Sequence, residues 1–499
     1  MNEKQTNVKN KKSFLKKLDN FFEISGRGSN FKTEIIAGLT TFFAMAYIVV
    51  TNPNQVVGFK HLVKGPMQGE LQKIWYAVYI ASILAAVIGT LLYAFYAKMP
   101  FAQACSMGLN SFFFTSFILP EFSKGSDVIK GYKEGLAVIL LSGVLFMILS
   151  LTGLRTYIAK ALPDCLKKAI PAGIGLFIAF LGFQNVGIIK ANEHTLVQFF
   201  DFNAAWKNAA STIDAWRAIV PILLALIGLV VMGVLTKFKV KGSVIITILG
   251  TTVLYYLFSW QPPKFGLTSI GDSFVAFGTE GIFSAFKGFA TLFTENGVFT
   301  WGTLFSVIGL TITFCLVDMF DTVGTLYGAA SQANMLDKNG DPVNMKKSMN
   351  ADSIATVTSS ILGTSTCTTF VESSAGVGVG GRTGFASIIT AACFFVCLFL
   401  TPVATIIPAC ATAPALIYIG VLMLKGFAKV DMEDISSAIP AFLTLIMMPL
   451  TYSISNGIAI GAASYVLITL LTGKYKKKDI TVTIITILFA LRFVLVANA

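Results

Sequence analysis

The sequence contains few charged residues. Only 13% of its 499 residues are Asp, Glu, Lys or Arg, whereas 55% are hydrophobic and the mean hydropathy is +0.74. Soluble domains carry about a quarter charged residues, so this composition predicts a polytopic membrane protein. The sequence also lacks a polar block long enough for a soluble domain, because the polar loops at 190–216 and 260–300 suffice only for small caps.

Several functional signatures are also absent. His61 and His194 lie in loops, and the seven cysteines have no metal-ligand spacing or disulfide pattern, so we expect no metal and no cofactor. The net charge of +13 does not indicate a nucleic-acid partner, because the lysines are spread over short loops without interleaved aromatic residues. The sequence contains no hydrolase, kinase or redox constellation and no Walker motif for ATP. We therefore expect no enzyme activity, and any uphill transport must use an ion gradient.

Apolar segments that can cross a bilayer occur in two sets of seven. A crossing helix needs about 20 mainly apolar residues. The first set is 33–52, 74–97, 100–119, 132–152, 164–189, 217–235 and 242–259. The second set is 301–328, 346–363, 364–381, 383–407, 408–425, 434–451 and 453–472. The sequence leaves open whether the apolar segment 479–497 is a surface helix or a further crossing.

The lysines orient these segments, because Lys and Arg concentrate in cytoplasmic loops. With the N-terminus inside, the basic loops 164–168, 237–241 and 474–478 all fall on the inner side. The lysine-rich residues 1–32 lack the apolar core of a signal peptide and then form a cytoplasmic tail. We expect a multi-pass protein of the cell membrane with its N-terminus in the cytoplasm.

Two segments are poor crossing helices. Segments 100–119 and 364–381 are each third in their set and are rich in small and polar residues. Irregular backbone is tolerated in a membrane only where protein or a cavity surrounds it, and interrupted segments at matching places indicate a transporter's binding site. Because each half has an odd number of spans, we predict an all-α fold of 14 spans in two inverted repeats. Spans 3 and 10 each contain an extended piece that leads into a half-helix.

Ionisable residues inside spans are costly and are therefore candidates for function. Asp318 and Asp321 share one face of span 8, and Glu372 lies where the extended piece of span 10 becomes helix. These three carboxyls are predicted to bind the ligand, and Asp318 and Glu372 to carry a coupled proton. The alternative is structural: Glu372 caps its half-helix, and the aspartates orient neighbouring hydroxyls.

Uncharged residues complete the candidate site. Asn110 holds the place in span 3 that corresponds to Glu372, and its amide both donates and accepts hydrogen bonds. Phe370 is a candidate for stacking on a flat ring, and Gly376 allows close approach of the backbone. The alternatives are that Asn110 satisfies loose backbone and that Phe370 and Gly376 serve packing.

Five blocks of the sequence resemble one transporter family, the AzgA-like purine permeases of the nucleobase–cation symporter (nucleobase–ascorbate transporter) superfamily. The resemblance runs from about residue 20 to the end of the chain. It is carried by TTFFAMAYIVVTNP (40–53), MGLNSFFF (107–114), DMFDTVGTLYG (318–328), NADSIATVTSSILGTSTCTTFVESSAGVGVGGRTG (350–384) and IPAFLTLIMMPLTYSISNGIAIG (439–461).

The resemblance implies a function and a domain plan. It implies that hypoxanthine, guanine or adenine is taken up with a proton, in preference to sodium. Its purine-binding positions fall on Asn110, Asp318 and Glu372, with Asp321 auxiliary. The implied division is a tail (1–32), a core domain of spans 1–4 and 8–11 (33–152 and 301–407), and a gate domain of spans 5–7 and 12–14 (153–300 and 408–499). The sequence leaves a homodimer open.

Other functions remain to be weighed. An anion transporter of the same architecture, for sulfate or bicarbonate, is the main alternative, although its site should avoid carboxylates and use helix N-termini. A channel would show flux without saturation, and a membrane enzyme would need a reactive constellation that the sequence lacks. Among purines, guanine or hypoxanthine is the first expectation and adenine the second.

Overall fold

A computed structural model of the chain describes residues 16–58, 66–125, 127–152, 163–192, 195–240, 242–263, 269–295, 298–332, 335, 342–370 and 372–495. The predictions for residues 1–15, His61 and His194 lie outside these ranges.

Helices dominate both halves of the chain. In the first half they are α1 (Phe31–Met45), α2 (Ile48–Val57), α3 (Pro66–Leu92), α4 (Met107–Phe113), α5 (Leu119–Lys124), α6 (Val128–Thr152), α7 (Asp164–Val186), α8 (Phe202–Lys207), α9 (Thr212–Lys237), α10 (Ser243–Ser259), α11 (Ser269–Ala276) and α12 (Ser284–Leu292). In the second half they are α13 (Trp301–Gln332), α14 (Met345–Leu362), α15 (Ser373–Gly378), α16 (Gly384–Cys397), α17 (Thr401–Thr405), α18 (Ala409–Met423), α19 (Ile435–Leu450), α20 (Ile454–Leu471) and α21 (Ile480–Leu495).

The membrane prediction is confirmed at the level of single helices. Within the described ranges, eight helical stretches are long and apolar enough to cross a membrane, and each overlaps a predicted span. Helices α10, α16 and α19 are apolar but shorter. Helices α1, α9, α19 and α20 begin at side chains that accept a main-chain N–H of the first turn, namely Asn30, Ser211, Asp434 and Ser453.

The predicted span at 383–407 is interrupted in the structure. Helix α16 ends at Cys397, and α17 begins only at Thr401, with Pro402 in its first turn. Proline has no N–H to continue the hydrogen bonding of α16, but it is well suited to the first turn of a new helix.

Within the described residues, six short strands accompany the helices. They are β1 (Gln103–Cys105), β2 (Ile189–Asn192), β3 (Leu196–Phe199), β4 (Thr294–Glu295), β5 (Val298–Phe299) and β6 (Cys367–Thr369). The pairs β2–β3 and β4–β5 are local hairpins in the two polar loops.

The pair β1–β6 joins the two halves of the chain. The strands run antiparallel in the register Gln103 to Thr369 and Cys105 to Cys367, and all of their residues are buried. Short helices follow both strands, α4 after β1 and α15 after β6. The prediction of an extended piece leading into a short helix in both broken segments is therefore confirmed.

The long helices pack in two groups. Helix α16 packs on α1 and α3, and α14 packs on α3 and α6, so helices from both halves surround the β1–β6 pair. Helix α7 packs on α18 and α19, and α9 packs on α10 and α18. The final helix α21 packs on α20 and α13.

Candidate functional site

A cavity of about 370 Å³ lies beside the β1–β6 pair. Its wall on one side comes from β6, α4 and α13, and on the other side from α7 and α18. Its lining consists of Tyr47, Ser106, Met107, Gly108, Pro171, Ile178, Asp321, Thr325, Thr368, Thr369, Phe370, Glu372, Ile419, Leu422, Met423 and Lys425. Small-molecule sites have volumes of about 300–1,000 Å³, so the cavity can hold a small ligand.

Glu372 occupies the N-cap position of α15, without capping that helix by its side chain. The Tyr47 hydroxyl donates to Glu372 Oε1 at 2.7 Å. The second oxygen, Oε2, is buried and has no hydrogen-bond partner among the described residues. Glu372 therefore offers the cavity one acceptor oxygen, while Tyr47 holds the other in place.

Asp321 lies on α13 and also lines the cavity. The Ser106 hydroxyl at the start of α4 donates to Asp321 Oδ2 at 3.1 Å. Thr325, one helical turn further along α13, lines the same wall. The cavity thus has two carboxyls, each held by one hydroxyl donor.

Asp318 lies outside this lining and is completely buried behind β6. The Thr356 hydroxyl on α14 donates to Asp318 Oδ2 at 2.8 Å. Of the two aspartates predicted for span 8, the structure therefore brings Asp321 into the cavity and places Asp318 behind its wall.

Asn110 is also completely buried and outside the lining. Its Nδ2 donates to Asn52 Oδ1 at 2.8 Å, so it links α4 to α2. The predicted correspondence between Asn110 and Glu372 is wrong in register, because Glu372 is the N-cap of α15 whereas the N-cap of α4 is Ser106. Asn110 lies one helical turn inside α4.

The remaining two candidates, Phe370 and Gly376, have different surroundings. Phe370 lines the cavity, and its main-chain N–H donates to the carbonyl of Ala102 at 3.1 Å. Gly376 faces α1 instead, because a Cβ there would clash with Thr41 Oγ1 and lie 2.6 Å from the Ala37 carbonyl oxygen. Close backbone approach at Gly376 thus serves helix packing in this structure.

Asp352 is a buried carboxyl that the sequence analysis missed. The Gln103 amide donates to it, and the Thr369 hydroxyl donates to it at 3.0 Å. The hydroxyl oxygen of Tyr93 lies 2.6 Å from that of Thr369. Since Gln103 and Thr369 face each other across the strand pair, Asp352 ties both strands to α14. Its position inside the apolar span 346–363 was the signal that could have revealed it.

Tyr47 and Ser106 were also missed as site residues. The hydroxyl of each donates a hydrogen bond to one of the cavity carboxyls. Tyr47 lies in the sequence TTFFAMAYIVVTNP (40–53), but a tyrosine in an apolar segment does not indicate which side chain accepts its hydrogen bond. Among the described residues, no group of three or more His, Cys, Asp and Glu is placed to hold a metal ion.

A second, smaller cavity of about 30 Å³ lies between α2 and α18. Thr51, Gln55 and Ser111 line it on one side, and Asn185 and Thr412 on the other. This volume holds about one or two water molecules, so little space separates α2 from α18 at this cavity.

Comparison with known proteins identifies the family. A family model described as "Permease family" matches residues 32–460. The chain is 36% identical over 485 residues to the guanine/hypoxanthine permease PbuG of Bacillus subtilis, covering 96% of this chain and 99% of that protein. It is 33% identical over 479 residues to the adenine permease AdeQ of Escherichia coli K12, covering 96% of each.

A solved structure shares the fold. The transmembrane domain of the cyanobacterial bicarbonate transporter BicA superposes with a TM-score of 0.56 at 15% identity, covering 86% of this chain and 97% of that domain. The family match and the permease relatives cover almost the whole chain, and this chain therefore belongs to the permease family.

Proposed function

We propose that this protein imports purine nucleobases by proton-coupled secondary transport, with guanine or hypoxanthine preferred over adenine. The observation that carries the proposal is the pair of carboxyls, Glu372 and Asp321, that face one small cavity. Relatives named as guanine/hypoxanthine and adenine permeases support the same substrate class. A transporter is also favoured over an enzyme, because the matching relatives are permeases.

The chemistry of the cavity suits a neutral purine. A purine presents ring N–H groups and, in guanine and adenine, an exocyclic amine, all of which donate hydrogen bonds. Glu372 Oε2 and Asp321 are acceptors of the matching kind, and hydrogen bonds to ionised carboxylates are the stronger ones. Phe370 supplies an aromatic face. Met107 and Gly108 at the start of α4 line the cavity, and their main-chain N–H groups are the proposed donors to the 6-oxo group of guanine or hypoxanthine.

In this proposal, the six predicted site residues divide into two sets. Glu372, Asp321 and Phe370 contact the base. The other three act from behind the cavity wall. Asn110 acts through its contact with Asn52, Asp318 through Thr356, and Gly376 through its packing on α1. Asp318 and Glu372 remain the candidates for the coupled proton.

Alternating access would move two domains against each other. The packing of α1, α3 and α6 with α14 and α16 supports a core domain of residues 33–152 and 301–407, and the packing of α7 with α18 and α19 supports a gate domain of 153–300 and 408–499. We propose that these correspond to 14 spans in two inverted repeats, with the N-terminus in the cytoplasm. A homodimer remains a prediction.

The conformation is best interpreted as inward-facing. The cavity extends towards Lys425, in the turn after α18 that ends at Lys429, and the Lys168 side chain donates to the Lys429 carbonyl at 2.7 Å. Lys168 belongs to a loop predicted to be cytoplasmic. The small 30 Å³ cavity between α2 and α18 leaves little open space there, which supports the same interpretation.

Uptake by proteoliposomes that contain the purified protein tests the proposal. We expect saturable uptake of labelled hypoxanthine, competition by guanine and more weakly by adenine, and accumulation when the lumen is more alkaline than the medium. A protonophore should abolish the accumulation. Uptake that unlabelled purines do not compete would contradict the substrate assignment.

Anion transport is the second candidate, because the fold is shared with a bicarbonate transporter and Lys425 lies at the cavity. Two carboxyls in the same lining argue against it, since an anion would be repelled there. Competition of hypoxanthine uptake by sulfate or bicarbonate would favour the anion transporter, and its absence would favour the purine.

A further inference from the structure

The hydroxyl groups of α14 follow two patterns. A Ser or Thr inside a helix commonly donates to a carbonyl of the preceding turn. Thr356 instead directs its hydroxyl out of the helix, towards Asp318 on α13 and Cys367 on β6. Four neighbouring hydroxyls keep the common pattern, at Ser353, Thr358, Ser359 and Ser360.

Three polar groups compete for the Thr356 hydroxyl. Its oxygen is 2.8 Å from Asp318 Oδ2 and 3.2 Å from the carbonyl oxygen of Cys367, and the Cys367 amide donates to it at 3.4 Å. A hydroxyl has one proton to donate and two lone pairs that accept. Thr356 can therefore make a full hydrogen bond to only one of the two oxygens at a time.

The three groups are sealed from solvent. Asp318, Thr356 and Cys367 are each 0% exposed. Asp318 Oδ1 has no hydrogen-bond partner in the part of the chain that the structure describes. In this conformation bulk water does not compete for the Thr356 hydroxyl, so the protonation state of Asp318 decides which oxygen receives the Thr356 proton.

We propose that Thr356 is a hydroxyl switch that transmits the protonation state of Asp318 to strand β6. When Asp318 is ionised, Thr356 donates to Asp318 Oδ2, and the Cys367 carbonyl is not bound by Thr356. When Oδ2 takes up a proton, its O–H donates to Thr356, and the Thr356 hydroxyl turns to the Cys367 carbonyl. One proton is added, and β6 gains one hydrogen bond to α14.

This change reaches the cavity through β6. Thr368, Thr369 and Phe370 line the cavity directly after Cys367. Asp352, one turn before Thr356 on α14, holds the other end of the strand through Thr369. The switch therefore alters the attachment of β6 at Cys367 while its attachment at Thr369 persists.

The other titratable groups near Asp318 are acids. The groups that act on it electrostatically are Asp321 and Cys315 on α13, Asp352 on α14 and Cys367 on β6. All of these are acids, and Glu372 at α15 acts on Asp321. Among the described residues, Asp318 forms no ion pair, so no basic side chain competes with the proton there.

This inference rests on the proposed proton-coupled uptake, and two assays on proteoliposomes test it. Exchange of labelled against unlabelled hypoxanthine at equal pH measures binding and movement of the site without net proton flow. Accumulation driven by a pH gradient measures coupling. Thr356→Val removes the hydroxyl at almost constant shape, Thr356→Ser retains it, and Thr358→Val is the matched control on the same helix.

We expect Thr356→Val to keep exchange within about threefold of the wild type and to lose accumulation by about tenfold or more, which is the effect of one charge-assisted hydrogen bond. We expect wild-type exchange and wild-type accumulation in both Thr356→Ser and Thr358→Val. Wild-type accumulation in Thr356→Val, or an equal loss of exchange and accumulation, would overturn the switch. If the wild-type protein exchanged hypoxanthine but failed to accumulate it, the proposed proton coupling would fail before any variant was compared.

Discussion

The two broken segments have the same architecture and different chemistry. Each consists of a three-residue strand followed by a short helix, and the strands pair antiparallel at the centre of the molecule. In the first segment, the N-cap of α4 is Ser106, which donates to Asp321. In the second, the N-cap of α15 is Glu372, which accepts from Tyr47. The first segment thus supplies a donor that positions a carboxyl, and the second supplies the carboxyl itself.

The difference shows that matching topology does not imply matching ligand contacts. Asn110, the polar residue that stands out in the first segment, binds Asn52 on α2 and lies behind the cavity wall. Tyr47, which supports Glu372, is the N-cap of the same helix α2. One helix therefore supports both segments, but only the second segment places a charged side chain at the cavity.

Glu372→Gln should give the largest effect. The amide keeps the size of the side chain but removes its charge and replaces one acceptor oxygen with a donor, so Tyr47 and the base no longer both find a carboxylate oxygen. Loss of a charge-assisted hydrogen bond, together with an unpaired donor, costs about 3 kcal/mol or more. We expect hypoxanthine uptake to fall by about 100-fold or more. Ser106→Ala is the corresponding variant in the first broken segment. An equal loss of uptake in that variant would contradict the difference in roles between the two segments.

Gly376→Ala should give the next largest effect, and it should act on stability. The added Cβ clashes with Thr41 and Ala37 of α1, and such overpacking costs about 1–3 kcal/mol. We expect a lower melting temperature in detergent. Gly378→Ala is the matched control in the same helix, because a Cβ there meets no atom within 4 Å. Equal melting temperatures for both variants would contradict the packing of α15 on α1.

Tyr47→Phe should have a smaller effect. It removes the hydroxyl that holds Glu372 Oε1 while leaving the carboxyl in place. Loss of one hydrogen bond to a charged group costs about 1.5 kcal/mol, so the KM for hypoxanthine should rise about tenfold. An unchanged KM in initial-rate uptake would show that Tyr47 does not position Glu372.

Asn110→Ala should have the smallest effect on ligand binding. Its loss leaves Asn52 without a partner and costs about 1–3 kcal/mol of stability, but the Kd for hypoxanthine should stay within about threefold of the wild type. Scintillation proximity binding to the purified protein measures this. A loss of binding as large as that of Glu372→Gln would place Asn110 in direct contact with the base.

Hydropathy alone located most of the helices, because the length and polarity of a segment are local properties. The pairing of β1 with β6 was not visible, since its partners lie far apart in the chain. The carboxyls of span 8 were found by their cost in a membrane, but which one faces the cavity depends on helix rotation. Asp318 and Asp321 differ by only about 60° around α13, and this places one in the cavity and the other behind β6.

Asp352 was missed for a related reason. Its place inside predicted span 9 marks it as a candidate, but nothing local indicates that it binds Gln103 and Thr369 of the strand pair. The break between α1 and α2 around Tyr47 also had no signal in the sequence. Sequence reasoning thus identified the kind of site but not which side chains share its surface.

A structure of the protein with hypoxanthine bound tests the central claim most directly. We predict that the base lies in the 370 Å³ cavity, with a ring N–H about 3 Å from Glu372 Oε2, a second polar contact at Asp321 and one face against Phe370. A base that lies away from both carboxyls, or one that Glu372→Gln binds in the same pose and with the same Kd, would contradict it.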